Sequence, residues 1–492
     1  MSMIKVENLT FAYPGSFDNV FENVSFQIDT DWKLGFVGRN GRGKTTFLRL
    51  LTGEYPFRGN IHTAVKFDYF PKTVADETKL TQEILAEVCP LAEDWEIQRE
   101  FSFLKVDANV LWRTFATLSQ GERMKVLLAA MFLNEGRLLL IDEPTNHLDT
   151  DARKLVAAYL KKKKGFILVS HDRAFLDGCV DHILSLNRRN VEVQSGNFSS
   201  WQENFERQQS FERTQNERLQ KDIGRLKESA KRSSDWSEKA ESAKYGAKNS
   251  GLRPDRGYIG HKAAKMMQSA KNTEARRERA LAEKSTLLKN AEYAENLKIE
   301  PLEYRAERLV TFSEVSICYD GREIGMPVSF SVERGERVLL YGGNGSGKSS
   351  LLKLLLGQRI SHSGTLTIGS GLLISYVSQD TSFLQGKLSD FAKESKIEES
   401  LFKAILHKMD FSPEQFEKDI KDFSGGQKKK VLLARSLCER AHLYVWDEPL
   451  NFVDVYSREQ IERLLLAFQP TMLFVEHDIA FQDAVATKII RL

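Results

Sequence analysis

The sequence predicts an α/β protein built from two tandem copies of one domain, joined by a long antiparallel α-helical hairpin. Three observations lead there. The pattern GxxxxGK[ST] occurs twice, as GRNGRGKT from Gly38 and as GGNGSGKS from Gly342. Each match is followed by the same motifs in the same order: LSQGE, LLLIDEPTNHLD and SHD in the first copy, FSGGQ, LYVWDEPLNFVD and EHD in the second. The spacing holds as well, since the loop lysine precedes the glutamate of DEP by 99 residues (44 to 143) in one copy and by 100 (348 to 448) in the other. Order and register kept over such a length mark a duplication. The first domain is placed at residues 1–197, the linker at 198–307 and the second domain at 308–492.

Each element has a chemical reason. In the glycine-rich loops, Gly38, Asn40, Gly41 and Gly43, with Gly342, Asn344, Gly345 and Gly347, leave backbone N–H groups free to curl around phosphate oxygens at a helix start. Lys44 and Lys348 then reach the phosphates, and Thr45, Thr46, Ser349 and Ser350 open the helix, with the Thr45 and Ser349 hydroxyls suited to Mg²⁺. Tyr13 in FAYPG and Tyr319 in ICYDG lie upstream, placed to stack on an adenine. LLLID and LYVWD read as buried strands that end in Asp142 and Asp447 at the carboxyl edge of a parallel sheet, where such sheets bind ligands. These aspartates are expected to hold Mg²⁺, partly through water. Glu143 and Glu448 come next as general bases for an attacking water, and His171 and His477 as groups that orient it.

The stretches Ser119, Gln120, Gly121, Glu122 and Ser424, Gly425, Gly426, Gln427 each open a helix and so make a second anion site per domain. That site is expected to serve the nucleotide of the other domain. Two domains arranged head to tail would hold two ATP molecules between them, without an obligate homodimer.

Composition narrows the classes. The 71 Lys and Arg nearly cancel the 68 Asp and Glu, so a net charge of +3 excludes a uniformly basic nucleic-acid coat. The longest apolar run, Val126–Leu133, has eight residues, against the roughly 20 of a membrane helix. Cys89, Cys179, Cys318 and Cys438 form no CxxC pair, which fits a reducing, cytoplasmic setting and disfavours a zinc site. The runs Lys161–Lys164 and Lys428–Lys430 read first as solvated faces and second as RNA contacts.

The linker is rich in Glu, Lys, Arg, Gln and Ala, and is broken near its middle by Gly246, Gly251, Pro254, Gly257 and Gly260. Two long helices folded back at residues 246–258 are expected. Between Ala230 and Lys271 ten Lys or Arg face four acids, giving a local charge of +6. Lys244, Tyr245, Lys248, Arg253, Arg256 and Tyr258 bracket the bend, a basic and aromatic tip suited to RNA.

Loop, signature, DEP strand and histidine together look like the ATP-binding cassette superfamily over both repeats. The resemblance implies two tandem ATP-binding cassette (P-loop NTPase) domains that hydrolyse ATP with Mg²⁺. Twin cassettes, a charged interdomain hairpin and no membrane-length segment resemble the ABC-F family, ATPases that act on ribosomes. DWKLGFVGRNGRGKTT, KKKKGFILVSHDRAF, KYG and LYVWDEPLN are most similar to its Lsa-type antibiotic-resistance proteins. That resemblance implies a bacterial 70S ribosome as partner, with rRNA and tRNA met through the hairpin, and protection against lincosamides, streptogramin A and pleuromutilins. A housekeeping translation role is the alternative within the family. Only 47 residues separate Phe70 from Leu118 and 45 separate Val377 from Phe423, room for a helical subdomain smaller than transport cassettes use to grip membrane domains. DNA-repair relatives carry longer coiled coils or zinc hooks.

Three departures from the family pattern stand out. Lys72 stands where the family usually has a glutamine, kept in the second copy as Gln379 and implied by the resemblance to help hold Mg²⁺; Gln120 replaces a signature glycine, and Leu450, Phe452 and Val453 stand where the first copy has Thr145, His147 and Leu148. The two sites are expected to be unequal, with slower hydrolysis at the one built on Lys44.

Overall fold

The computed structural model describes residues 2–14, 19–146, 148–186, 191–212, 297–319 and 322–492, with single positions between 214 and 228. It divides into two compact units, Met1–Trp201 with Ala294–Leu492, and Gln202–Tyr293. The larger unit contains both α/β halves.

Near-continuous apolar runs suit strands covered on both faces. In the first half they form a six-stranded sheet in the order Lys66–Phe70, Arg137–Asp142, Phe166–Val169, Lys33–Gly38, His182–Leu186, Val191–Ser195. Only the last strand is antiparallel. The second half repeats the order without that edge strand: Ile374–Val377, Leu443–Asp447, Met472–Val475, Arg337–Tyr341, Lys488–Arg491, all parallel. Phosphate loop and DEP turn therefore emerge at the same carboxyl edge in each half.

A three-stranded antiparallel sheet accompanies each: Phe21–Asp29, Met3–Phe11 and Arg58–His62, then Arg322–Glu333, Arg308–Tyr319 and His362–Ile368. Both contain the same bulge. Asn8 (φ 53°) and Glu314 (φ 49°) turn left-handed where the register shifts. The chain crossing them must be bare: a Cβ on Gly59 would lie 2.5 Å from the Asn8 oxygen, and one on Gly364 would lie 2.1 Å from the Glu314 oxygen.

Short helices, Thr81–Val88 and Asp94–Phe103 in one half, Leu388–Glu394 and Glu399–Lys408 in the other, fill the insertions after Phe70 and Val377. Among the described residues no helix is long and apolar enough to cross a membrane.

Two expectations change. Lys429 and Lys430 belong neither to a solvated face nor to an RNA contact, because they are only 2% and 3% exposed. Lys429 Nζ donates to the Ser378 oxygen at 2.9 Å, and Lys430 Nζ donates to the Met409 oxygen at 2.8 Å and pairs with Asp454 at 2.7 Å. Consecutive residues of a helix point in different directions, and Gly425–Cys438 turns these two inward. Leu297 and Ile299, which the sequence pattern assigns to the linker, are buried in the core of the second half with Phe402 and Leu406.

Residues 198–212 are helical, as are the described positions from 214 to 228. The returning arm and the tip residues Lys244, Tyr245, Lys248, Arg253, Arg256 and Tyr258 lie outside the described residues.

Because Gly59 and Gly364 combine a left-handed φ with a backbone oxygen in the way, Ala at either position should cost about 2 kcal/mol or more. Thermal melts should show a lower Tm for Gly59→Ala and Gly364→Ala; unchanged melting would mean that the bulges relax freely.

Candidate functional site

The two phosphate loops are built alike. Gly43 (φ 95°) and Gly347 (φ 93°) cap the helices Lys44–Leu51 and Lys348–Leu355 in the left-handed conformation that favours glycine. Gly41 (φ 80°) and Gly345 (φ 82°) share that conformation, and a Cβ on either would meet nothing within 4 Å. Lys44 Nζ donates to the oxygens of Gly38 (2.7 Å) and Arg39 (3.1 Å), and Lys348 Nζ to those of Gly342 (2.8 Å) and Gly343 (2.7 Å). Each lysine thus folds over its own loop.

The helix starts are tied to the sheet through carboxylates. Thr45 Oγ1 donates to Asp142 at 2.7 Å, with Tyr69 donating to the same oxygen at 2.8 Å, and Ser349 Oγ donates to Asp447 at 3.1 Å. Hydroxyl and carboxylate oxygens make a donor set that suits Mg²⁺. Burial pushes the Asp447 carboxyl up to about 6. Tyr13 shares a 2.7 Å hydrogen bond with Thr46 and packs edge-on to Phe11 and Tyr55, which brings its half-exposed ring beside the first loop. The Tyr319 side chain lies outside the described residues.

Glu143 (φ 49°) and Glu448 (φ 47°) are both left-handed, a conformation uncommon for glutamate. Their surroundings differ. Gln379 Nε2 and Asn451 Nδ2 both donate to Glu448 Oε2, the former at 2.9 Å, and His477 Nε2 lies 3.6 Å from Oε1. Burial alone would raise this carboxyl, but His477, Gln379 and Lys429 hold it below the usual range. Among the described residues His171 Nε2 lies 3.3 Å from Glu143 Oε1 without a hydrogen bond between them, and that buried oxygen has no hydrogen-bond partner. Burial, followed by repulsion from Asp142, pushes the Glu143 carboxyl up to about 8. Burial, with Lys44 and Arg458 nearby, pulls His171 well below its usual value. Lys72 lines a cavity of about 350 Å³ with Asp142, Glu143, Gln120 and Arg123 and does not reproduce the Gln379 hydrogen bond.

Ser119 and Ser424 are N-caps of Gln120–Met131 and Gly425–Cys438. Each hydroxyl accepts the N–H of Glu122 or Gln427, and the serine backbone N–H donates to that residue's side-chain oxygen in return, a reciprocal capping box. The two signatures meet the opposite loops. Gln120 lines a cavity of about 500 Å³ with Lys348, Ser349, Ser350, Gln379, Glu448 and His477. On the other side Asn40 donates to the Phe452 oxygen at 2.6 Å, and a Cβ on Gly426 would lie 2.4 Å from Asn40 Nδ2. The His477 Nε2 that faces the larger cavity is buried without a hydrogen-bond partner, as expected of a group kept for a ligand.

Sequence reasoning misses several residues here. Asn451 and Asp454 lie in the repeated stretch PTNHLD/PLNFVD, at positions identical in both copies, so the repeat alone could have singled them out. Asp454 is fully buried in the second half yet electrostatically close to Lys44 and His171 of the first. Asp410 has no such signal; it follows the helix Glu399–Lys408 and pairs with Arg42 at 3.2 Å only through the fold.

A family profile described as "ABC transporter" matches residues 21–146 and 326–451. The chain is 29% identical to the ribosome protection protein VmlR of Bacillus subtilis, over 96% of this chain and 84% of that protein. It is 26% identical to the ATP-binding protein Uup of Buchnera aphidicola, over 99% of this chain and 80% of that one. The fold is similar to an archaeal ribosome recycling factor, aABCE1, in complex with a stalk protein: TM-score 0.62, 20% identity, 98% of this chain and 87% of that one.

The two glutamates should contribute unequally. Glu448 is held by two amide donors and charged at neutral pH, whereas Glu143 retains its proton up to about 8. Loss of a general base costs a site about 100-fold or more. Glu448→Gln should therefore remove most of the total ATP turnover and Glu143→Gln a minority, read as steady-state phosphate release. Equal residual rates would sink the assignment of inequality.

Proposed function

The chain belongs to the ABC transporter family, in its ABC-F branch, and from that premise we propose that it binds the bacterial 70S ribosome and protects it from antibiotics of the peptidyl-transferase centre. It is an ATP hydrolase. The observation that carries the proposal is the likeness to a protein named for ribosome protection, which runs through both halves and the linker.

In this reading residues 1–197 and 308–492, with Leu297 and Ile299 packed into the second, are the cassettes and the segment between them the hairpin, working in the cytoplasm. Each phosphate loop holds one ATP, with Lys44 or Lys348 on the phosphates and the signature of the other half, Ser424 or Ser119, closing over it. Tyr13 and Tyr319 stack on the adenines. Glu143 and Glu448 take the proton of the attacking water, while His171 and His477 orient it. Thr45 with Asp142, and Ser349 with Asp447 and Gln379, would hold Mg²⁺, which neutralises charge developing on the phosphates. Closure of the cassettes drives the hairpin toward rRNA and tRNA, where Lys244, Tyr245, Lys248, Arg253, Arg256 and Tyr258 make the contact. Lincosamides, streptogramin A and pleuromutilins are the drugs displaced.

Two experiments test this. Changing both Glu143 and Glu448 to Gln keeps phosphate binding and removes turnover, so that variant should accumulate on 70S ribosomes in ATP. Co-sedimentation no better than wild type would count against the ribosome as partner. Replacing residues 246–258 with a short Gly-Ser turn should preserve ATP hydrolysis and abolish growth protection of a susceptible host against a lincosamide or pleuromutilin. Full protection by the truncated protein would favour the housekeeping role.

A further inference from the structure

Arg39, Arg42 and Arg173 of the first half pair with carboxylates of the second. Arg42 donates both to Asp410 Oδ2 (3.2 Å) and to Oδ1 (3.4 Å), and Arg39 lies 3.5 Å from the same carboxylate. The Arg39 guanidinium also lies 5.4 Å from the centre of the Tyr456 ring, a cation–π contact. Both arginines are in the first phosphate loop, and both partners belong to the second half. The Arg39 side chain is 9% exposed and that of Asp410 21%, so solvent screens the pair only in part.

The duplication supplies the control. Counting from the loop lysines, Arg39 corresponds to Gly343 and Arg42 to Ser346; counting back 14 residues from the signature serines, Asp410 corresponds to Lys105. Lys105 and Asp410 even share a left-handed backbone, φ 49° and 69°, after equivalent helices. A glycine, a serine and a lysine cannot rebuild the clamp. The second loop instead faces the first half through the Asn344 N–H at 3.5 Å from Asp149, with the cavity of about 500 Å³ left between Lys348 and Gln120.

We propose that Asp410 is a positioning residue acting from the second half on the first nucleotide site, tethering Arg39 and Arg42 so that nucleotide leaves the first site more slowly than the second. The tether fixes the outer turn of the loop whose N–H groups face the phosphates. It also keeps Asn40 against Phe452 and Gly426, the signature side of that site. The inference rests on ATP being held between the halves, and goes beyond it by assigning a lifetime to each site.

The test uses the full chain carrying Glu143→Gln and Glu448→Gln, loaded with a fluorescent ATP analogue and Mg²⁺, then chased with ATP. Release should be biphasic, with Lys44→Ala removing the slow phase and Lys348→Ala the fast one. Asp410→Asn keeps the shape and tolerates the left-handed backbone, yet should speed the slow phase about tenfold and leave the fast phase unchanged. Arg42→Lys, which keeps a cation within reach of the carboxylate, should stay within about threefold of the parent. A slow phase indifferent to Asp410→Asn, or both phases accelerated alike, would overturn the tether. No retained analogue in the parent would overturn the shared ATP site and the tether with it.

Discussion

A hydroxyl-to-carboxylate hydrogen bond stands at the root of each site. Thr45 to Asp142 and Ser349 to Asp447 join the first turn of the loop helix to a strand that is not its sheet neighbour, with Phe166–Val169 or Met472–Val475 lying between. Because the aspartates end their strands in parallel register with Val169 and Val475, the next residue must leave the sheet at that point. Glu143 and Glu448 do so with a left-handed φ while their N–H groups still bond the oxygens of those valines, at 2.9 and 3.0 Å. Strain of the order of 1–3 kcal/mol at such a residue persists only where its surroundings over-determine it. Here the sheet and the loop helix hold it from both sides. The reward is geometric: adjacent carboxylates face different ways, one to the loop hydroxyl and one to the histidine.

Much of this was legible in the primary structure, because a duplication supplies its own alignment. Repeated spacing located the loops, the strand-ending aspartates, the glutamates and the capping serines, and periodicity alone could not have done so. What escaped has a common physical cause. The pairing of Arg42 with Asp410 joins residues 368 apart, and nothing local in either segment marks it. The inward turn of Lys429 and Lys430 escaped because a run of like charges carries no information on which face of a helix the core will cover. Neighbouring Lys428 differs from them only by its angle around the helix axis. The left-handed glutamates escaped too, since a non-glycine residue at positive φ has no compositional mark.

The departures between the copies are where one scaffold becomes two sites. Gln379 and Asn451 grip Glu448 with amide donors, while Lys72 opens onto a cavity beside Glu143 and gives it no such bond. A carboxyl taken out of water without donors favours its proton, and Glu143 lacks both amide bonds, one because Lys72 replaces Gln379 and the other although Asn146 matches Asn451 in sequence. Gln120 for Gly425, and Arg39 with Arg42 for Gly343 with Ser346, act on the faces across the interface rather than on the chemistry. Inequality is thus written twice, in the base and in the closure.

Both kinds of inequality depend on the halves being one chain. Two separate cassettes would have to bury a large and well-matched surface to stay together, whereas a covalent connection makes the meeting of the halves intramolecular. The interface can then leave a cavity on one side. Ion pairs at Asp410 and at Arg173 with Glu462 join the halves beside the first loop, and a cavity lies over Lys348. A homodimer of identical cassettes could not be built this way, because every pair made at one site would be made at the other by symmetry. Duplication followed by divergence removes that constraint. It allows one nucleotide site to bear the mechanical connection between the halves while the other stays free to open.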